Sequence, residues 1–387
     1  MDATLFAQML SDKHLTNLKK LGYKYPTADL HEFTELLHHG FYADLPLRDF
    51  DGEKMVYLPG AAQVHLSAAK SLLIPQTGSE AFGAKAMEEE ISATFTIESI
   101  DFARDSVRRI LKGYAPADES EQRILGMKKG LEFIADPGHK ITEKNLHTLY
   151  QLAIGETLPA EDALPQGALY RNDSVYIVGQ SLEHTGLAHQ KLPAYMAELV
   201  QFSATDDPIN DLLKAAIIHF YIAYLHPYFD GNGRIARLVH LWYLVQQGYP
   251  SALFIPLSGF IERSRRAYYN AYTLCEENQA ISGVLDATPF LVYFIENVYS
   301  KLTDALPAAK TTADFQDALA DGKITEKESA LWQFVLSAYG NREFSTKQLE
   351  KDFGNAAYAT IRGFVLKFEQ LGLLTGQKYG NKMKYHT

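Results

Sequence analysis

Two runs of this chain, Asp211 to Leu225 and Ile235 to Gln247, are apolar nearly all round. A helix with no polar face has to be buried, so both belong at the centre of a domain. The 387 residues, 47% of them hydrophobic, suffice for that core and for two or three domains. Between the runs stands LHPYFDGNGRIAR, residues 225–237. It holds a histidine, an aspartate, two glycines around an asparagine, and two arginines. A polar cluster joining two buried helices reads as a site.

Each residue type there has a physical use. Pro227 disfavours helical geometry at His226, which ends the first helix and leaves the imidazole at a helix-to-loop junction. Gly231 and Gly233 let backbone N–H groups approach a ligand, and the next helix adds the positive end of its dipole, forming an anion cradle. Arg234 and Arg237, three apart, project from nearly the same side and can grip phosphate oxygens. Asp230 supplies one oxygen for a magnesium ion whose other ligands are phosphate and water. An unperturbed imidazole titrates near neutrality, so His226 remains as the base. Singly, a histidine before proline is structural and Gly-Asn-Gly is a turn; their density favours the joint reading. GNGRIA also fits a loose dinucleotide pattern, but that fingerprint needs a preceding strand. A zinc site from His219, His226 and His240 lacks the HExxH spacing or a cysteine pair.

Elsewhere, apolar residues recur at helical spacing over 87–113, 119–134 and 142–154, with Pro137-Gly138 as a break. Val175, Tyr176, Ile177 and Val178 are β-formers bounded by glycines, predicting a short strand or hairpin between Pro165 and Gly179. His184 and His189 follow it and read as loop histidines. Residues 1–85, with turns at Leu58-Pro59-Gly60 and Pro75-Gln76-Thr77-Gly78, open helically and carry no functional motif. A small, polar stretch over 306–322 reads as a linker. Beyond it, a capping box at Ser345 to Gln348 opens a helix, Phe353-Gly354-Asn355 turns, and Ala356 to Leu371 places Ile361, Phe364, Val365 and Phe368 on one face. The closing LLTGQKYGNKMKYHT reads as a wing. The C-terminal unit is thus predicted to be a winged helix-turn-helix.

From Arg342 to Thr387 eight Lys or Arg face four Asp or Glu, a local +4. Lys378, Lys382 and Lys384 on the wing suit either phosphate backbone or a protein surface. The net charge of −10 disfavours non-specific attraction of the whole molecule to nucleic acid or anionic membrane. The one cysteine, Cys275, cannot form an intramolecular disulfide and reads as a buried structural thiol. The N-terminus has no secretory pattern, and the longest apolar stretch, Ala215 to Leu225, falls short of the about 20 residues a bilayer needs. These features predict a cytoplasmic protein without membrane partners.

The run from His226 to Arg237 resembles the signature of the Fic-domain family, HPFx(D/E)GNGRxxR, with Tyr228 where phenylalanine is usual. A tyrosine keeps the anchoring ring and requires a partner for its hydroxyl. The similarity extends over about Met87 to Ser300: the segment from Tyr170-Arg171 to Gly179 resembles the family's flap, and Phe254 to Tyr272, with Ser258 and Tyr268-Tyr269, its following helices. It implies a mainly α fold, a Fic-type helical bundle with a short β-hairpin flap. The division is then residues 1–85, a Fic core over 86–304 with the flap near 168–179, and the winged helix over 322–387.

The resemblance also implies a protein adenylyltransferase that moves AMP from Mg-ATP to a Ser, Thr or Tyr hydroxyl of a target protein or of itself. By it, His226 is the general base, Asp230 the magnesium ligand, Gly231, Asn232 and Gly233 the anion hole, and Arg234 and Arg237 the holders of the distal phosphates. Val175, Ile177 and Val178 pin the nucleotide, and Tyr268 lies near the adenine. Thr94 to Ser99 resembles the inhibitory pattern (S/T)xxxE(G/N) up to Ser99, over a helix near 91–100. Glu98 would pair with Arg237 and block the γ-phosphate. The partners implied are ATP, the target protein and a second copy of the chain, with DNA through the C-terminal unit. Two other functions fit the same residues: removal of AMP from modified proteins, and a DNA-binding regulator whose Fic domain senses nucleotide.

Overall fold

The computed structural model describes residues 1–64, 84–178, 182–249, 252–253, 256–302, 315, 318–319, 321–339, 343–354, 356–380 and 382–387. Within them the chain is mainly helical, with three two-stranded antiparallel sheets. It forms two compact units that do not follow chain order. One gathers 1–64, 125–247 and 260–298; the other gathers 65–124, 248–259 and 299–387.

The first unit is built on the two apolar helices, Asp211–Leu225 and Asn232–Gln246, which are buried along almost their whole length. Asn210 caps the first, its side chain accepting from Leu212 N. Trp242 closes one end of the second by donating from Nε1 to the His139 carbonyl at 2.9 Å. Gly130 permits close helix packing, since a Cβ there would stand 2.9 Å from the Ala153 Cβ and 3.3 Å from Leu238 Cδ1.

Residues 1–64 fall within this unit. Three helices, Ala3–Leu10, Leu18–Lys24 and Leu30–His38, precede a hairpin of Ala43–Arg48 with Lys54–Tyr57. The backbone then joins the distant chain. Leu18 N donates to Asn278 Oδ1 at 3.0 Å, Val56 N to Leu285 O at 3.0 Å, and Ala287 N to Val56 O at 2.9 Å. The Pro75 to Gly78 turn lies outside the described residues.

In the second unit the helical pattern expected over 87–113 breaks into Ala84–Ile97 and Arg104–Leu111. Glu90, 4% exposed, accepts from Ser258 N at 2.8 Å and from its hydroxyl, anchoring the helix Leu257–Arg263. The C-terminal part runs through helices Glu326–Ala338, Thr346–Phe353 and Tyr358–Gln370 to a hairpin, Thr375–Tyr379 with Lys382–His386. Ser345 caps the second of these helices, accepting from Gln348 N at 3.2 Å. Ile361, Phe364, Val365 and Phe368 share one core with Leu331 and Trp332. Phe344 pairs with Tyr385, adding a short third edge to the hairpin. Much of the 306–322 linker and Asn355 lie outside the described residues. Part of the local basic surplus is neutralised within this unit: Lys367 pairs with Glu328 at 2.7 Å and Lys384 with Glu343 at 3.1 Å.

Candidate active site

The helix Asp211–Leu225 stops where Pro227 predicts. His226 is its C-cap in the left-handed conformation, φ 53° and ψ 61°, a costly geometry for any residue with a Cβ. The His226 Nδ1 lies 2.8 Å from the Ala223 carbonyl. A carbonyl only accepts, so Nδ1 carries the proton of the neutral ring and Nε2 keeps its lone pair. That is the tautomer a general base needs.

Gly231, at φ 81°, caps the helix Asn232–Gln246. A Cβ there would also meet Ile154 Cδ1 at 2.4 Å, so backbone and space both require glycine. The Asn232 side chain closes the loop, its Oδ1 accepting from Tyr228 N at 2.9 Å and its Nδ2 donating to Tyr228 O at 2.8 Å. With that amide occupied, residues 232–234 offer an anion their backbone N–H groups, which have no acceptor within the helix.

Arg234 and Arg237 both lie on the first turns of this helix and are buried, 4% and 1% exposed. Arg234 Nη2 donates to Asp230 Oδ2 at 2.5 Å, while its Nε is buried with no partner among the described residues. A buried donor left unmet is costly, and a phosphate oxygen would satisfy it. Asp230 is half exposed. Among the described residues no three His, Cys, Asp or Glu gather as a metal cage. A metal here would take one protein carboxylate and complete its shell with phosphate and water, the usual habit of magnesium.

Tyr228 anchors the loop by stacking on Tyr150, with ring centroids 3.8 Å apart and planes 8° from parallel. The hydroxyl partner expected from sequence is missing: the Tyr228 and Tyr150 hydroxyls are both buried and unpartnered among the described residues. Tyr268 is 2% exposed, and its hydroxyl lies 2.8 Å from His219 Nε2 and 3.2 Å from the Tyr272 hydroxyl, inside the core. Burial pushes both neighbouring imidazoles down, His240 to about 3, so each stays neutral. Burial likewise raises the Cys275 thiol, as expected of a structural cysteine.

The flap is a hairpin of Tyr176–Val178 with Leu182–Thr185, in which Tyr176 faces Thr185, Ile177 faces His184 and Val178 faces Leu182. Gly179 and the turn through 181 lie outside the described residues. Three donors from its base meet three consecutive carbonyls at the end of the histidine-bearing helix. Leu187 N reaches Leu225 O at 3.1 Å, Arg171 Nε reaches His226 O at 2.7 Å, and Arg171 N reaches Pro227 O at 3.0 Å. The sequence reading quoted Arg171 as part of the flap and missed this role. An arginine ahead of a β-forming run was the only local signal.

In the second unit, the helix Ala84–Ile97 ends on Glu98 with Ser99 left-handed at φ 57°. Ser99 N donates to Thr96 O at 3.2 Å and Ile100 N to Phe95 O at 2.9 Å, the paired bonds of a Schellman cap. This explains why the pattern prefers Gly or Asn after the glutamate: both tolerate the left-handed region, and Ser99 occupies it at a cost. Glu98 is half-buried.

Residues 140–244 match a family model described as the Fic/DOC family. Over these residues, which include the whole loop from His226 to Arg237, the chain is similar to that family. Proteins named "Protein adenylyltransferase Fic" are similar to it: that of Drosophila yakuba is 30% identical over 192 residues, 48% of this chain and 34% of the relative. That of Drosophila ananassae is 28% identical over 226 residues, 56% of this chain and 41% of the relative. The chain therefore spans well under half the length of these Fic relatives. A crystal structure of a Fic family protein from Desulfovibrio desulfuricans G20 is 19% identical, covering 79% of this chain and 87% of that one, with a TM-score of 0.47. No described helix of this chain is long and apolar enough to cross a membrane.

Proposed function

We propose that the chain is a protein adenylyltransferase transferring AMP from Mg-ATP to a Ser, Thr or Tyr hydroxyl of a target protein and of itself. One observation carries the reading. On one loop and the helix it opens, an imidazole with its Nδ1 proton committed to a carbonyl stands with a helix start and a buried guanidinium whose Nε has no acceptor among the described residues. This sets an imidazole tautomer suited to a base beside donors suited to a polyphosphate.

In the proposed reaction the acceptor oxygen attacks the α-phosphorus and its proton passes to His226 Nε2. The bond to the bridging oxygen breaks and pyrophosphate leaves. The N–H groups of 232–234 take up charge on the phosphates, and Arg234 and Arg237 hold the distal ones. Asp230 would hold the magnesium of Mg-ATP, which would supply neutralisation of phosphate charge, and Arg234, now paired with Asp230, would exchange that partner for phosphate. Val175, Ile177 and Val178 cover the nucleotide, and the hairpin edge offers an extended target backbone a strand to pair with. Tyr268 backs the adenine side with its hydroxyl fixed by His219. Glu98 restrains the reaction, and the Schellman cap supports this by fixing the helix end from which it projects.

Incubating wild type, Glu98→Gly and His226→Ala with α-labelled ATP in cell extract tests this. Label on protein should rise in Glu98→Gly and disappear in His226→Ala, and mapping the labelled peptide identifies the hydroxyl. Unlabelled protein in every sample, with AMP released from a pre-labelled target, would establish the reverse direction instead.

A further inference from the structure

A helix that ends in a buried site leaves its last carbonyls without acceptable partners. At Leu225, His226 and Pro227 those carbonyls are met by Leu187 N, Arg171 Nε and Arg171 N. The Arg171 guanidinium also donates to the Asp173 and Leu187 carbonyls. Arg171 is 2% exposed, and among the described residues its side-chain hydrogen bonds all go to backbone oxygens rather than to a carboxylate. Burying an unpaired cation is expensive, and burial does lower this group from its ordinary value while the Asp173 charge partly offsets it. The negative end of the histidine-bearing helix is the compensating partner.

Gly186 keeps the space open. A Cβ at that position would stand 2.7 Å from Arg171 Nη2, 2.7 Å from Val175 Cγ1 and 3.0 Å from the His226 Cβ. One guanidinium therefore touches the residue bearing the base and both sides of the flap base.

We propose that Arg171 is a positioning residue. Through the His226 carbonyl it holds the left-handed backbone that aims the imidazole, and through the Asp173 and Leu187 carbonyls it ties that backbone to the flap. The inference rests on the reading of His226 as the base. It predicts an effect on the transfer step rather than on nucleotide affinity. With Arg171 gone, the backbone at 226 relaxes, Nδ1 loses its fixed acceptor, and both ring tautomers become populated.

The test uses the full chain in the wild-type and Glu98→Gly backgrounds. Arg171→Met, Arg171→Lys, Gly186→Ala and His226→Ala are compared by single-turnover self-labelling from α-labelled ATP, ATP affinity, thermal midpoint, and ¹⁵N spectra of the His226 ring. Arg171→Met should slow transfer about 100-fold, the scale of a misplaced catalytic group, with ATP affinity unchanged and the ring tautomers mixed. Arg171→Lys should recover part of both. If Arg171→Met does not fold, Gly186→Ala, which displaces the guanidinium but keeps its charge, should show the same losses. A folded Arg171→Met or Gly186→Ala protein whose His226 stays in the Nδ1–H tautomer overturns the proposal. So does a rate loss no greater than the fall in folded fraction. His226→Ala separates the two ideas: if it transfers at the parent rate the base assignment fails, while the tautomer spectra still decide the role of Arg171.

Discussion

Among the described residues only two non-glycine residues hold positive φ, His226 and Ser99, and they are kept there in different ways. The region around His226 is fixed from several directions: Pro227 follows it, Arg171 and Leu187 bind the carbonyls on and beside it, and Asn232 closes the loop behind it. Around Ser99, bonds from Ser99 N and Ile100 N close the end of one helix as a local cap. The contrast suits the two roles proposed. A base has to be in one place at every turnover, so its strain is over-determined. An inhibitory helix end has to yield, and at a left-handed cap a single side chain can change its strength.

The sharpest way to break this comparison is at the base. His226→Ala should lower protein labelling by about 100- to 10,000-fold, the usual worth of a positioned general base, with the thermal midpoint nearly unchanged; comparable labelling would remove the reason for the strain. Next is Gly231→Ala, which forces a Cβ into Ile154 and into the left-handed region. It should cost about 2–4 kcal/mol by denaturant unfolding, whereas a rigid loop that tolerated it would not be over-determined. At the helix end, Ser99→Gly should relieve about 1 kcal/mol of strain and lower basal labelling, while Ser99→Val should raise it. Equal labelling in the two variants would mean the cap does not set the inhibition. The smallest effect lies beneath the loop. Tyr228→Phe removes a buried hydroxyl that has no partner among the described residues and should raise stability by about 1 kcal/mol, read from the unfolding midpoint, with labelling unaltered.

The sequence made legible what is local. Pro227 ends a helix, a glycine needed at φ 81° starts the next, and apolar runs too uniform for the surface mark the core pair. The strand at 176–178 followed from its β-formers, whereas its partner at 182–185 lies beyond the stretch those residues mark. Legibility failed where partners are distant in sequence. Arg171 reaches a carbonyl 55 residues away, and nothing in its neighbours announces that. The hairpin Ala43–Arg48 with Lys54–Tyr57 has strands of six and four residues, too short to set a period, and its place depends on backbone bonds to 285 and 287. The missing partner of the Tyr228 hydroxyl was equally hidden, because stacking on Tyr150 outweighs the hydroxyl's need.

The bonds from Leu18 to Asn278 and from Leu58 to Thr288 span 260 and 230 positions. During synthesis the first 64 residues leave the ribosome long before the segment that completes their surroundings exists. At a translation rate of about 5–20 residues per second, the amides of Leu18 and Leu58 wait tens of seconds for their acceptors, while Phe33 and Leu37 already have their apolar neighbours within the emerged stretch. The nascent N-terminal segment can therefore collapse on its own residues first and dock onto the later chain afterwards.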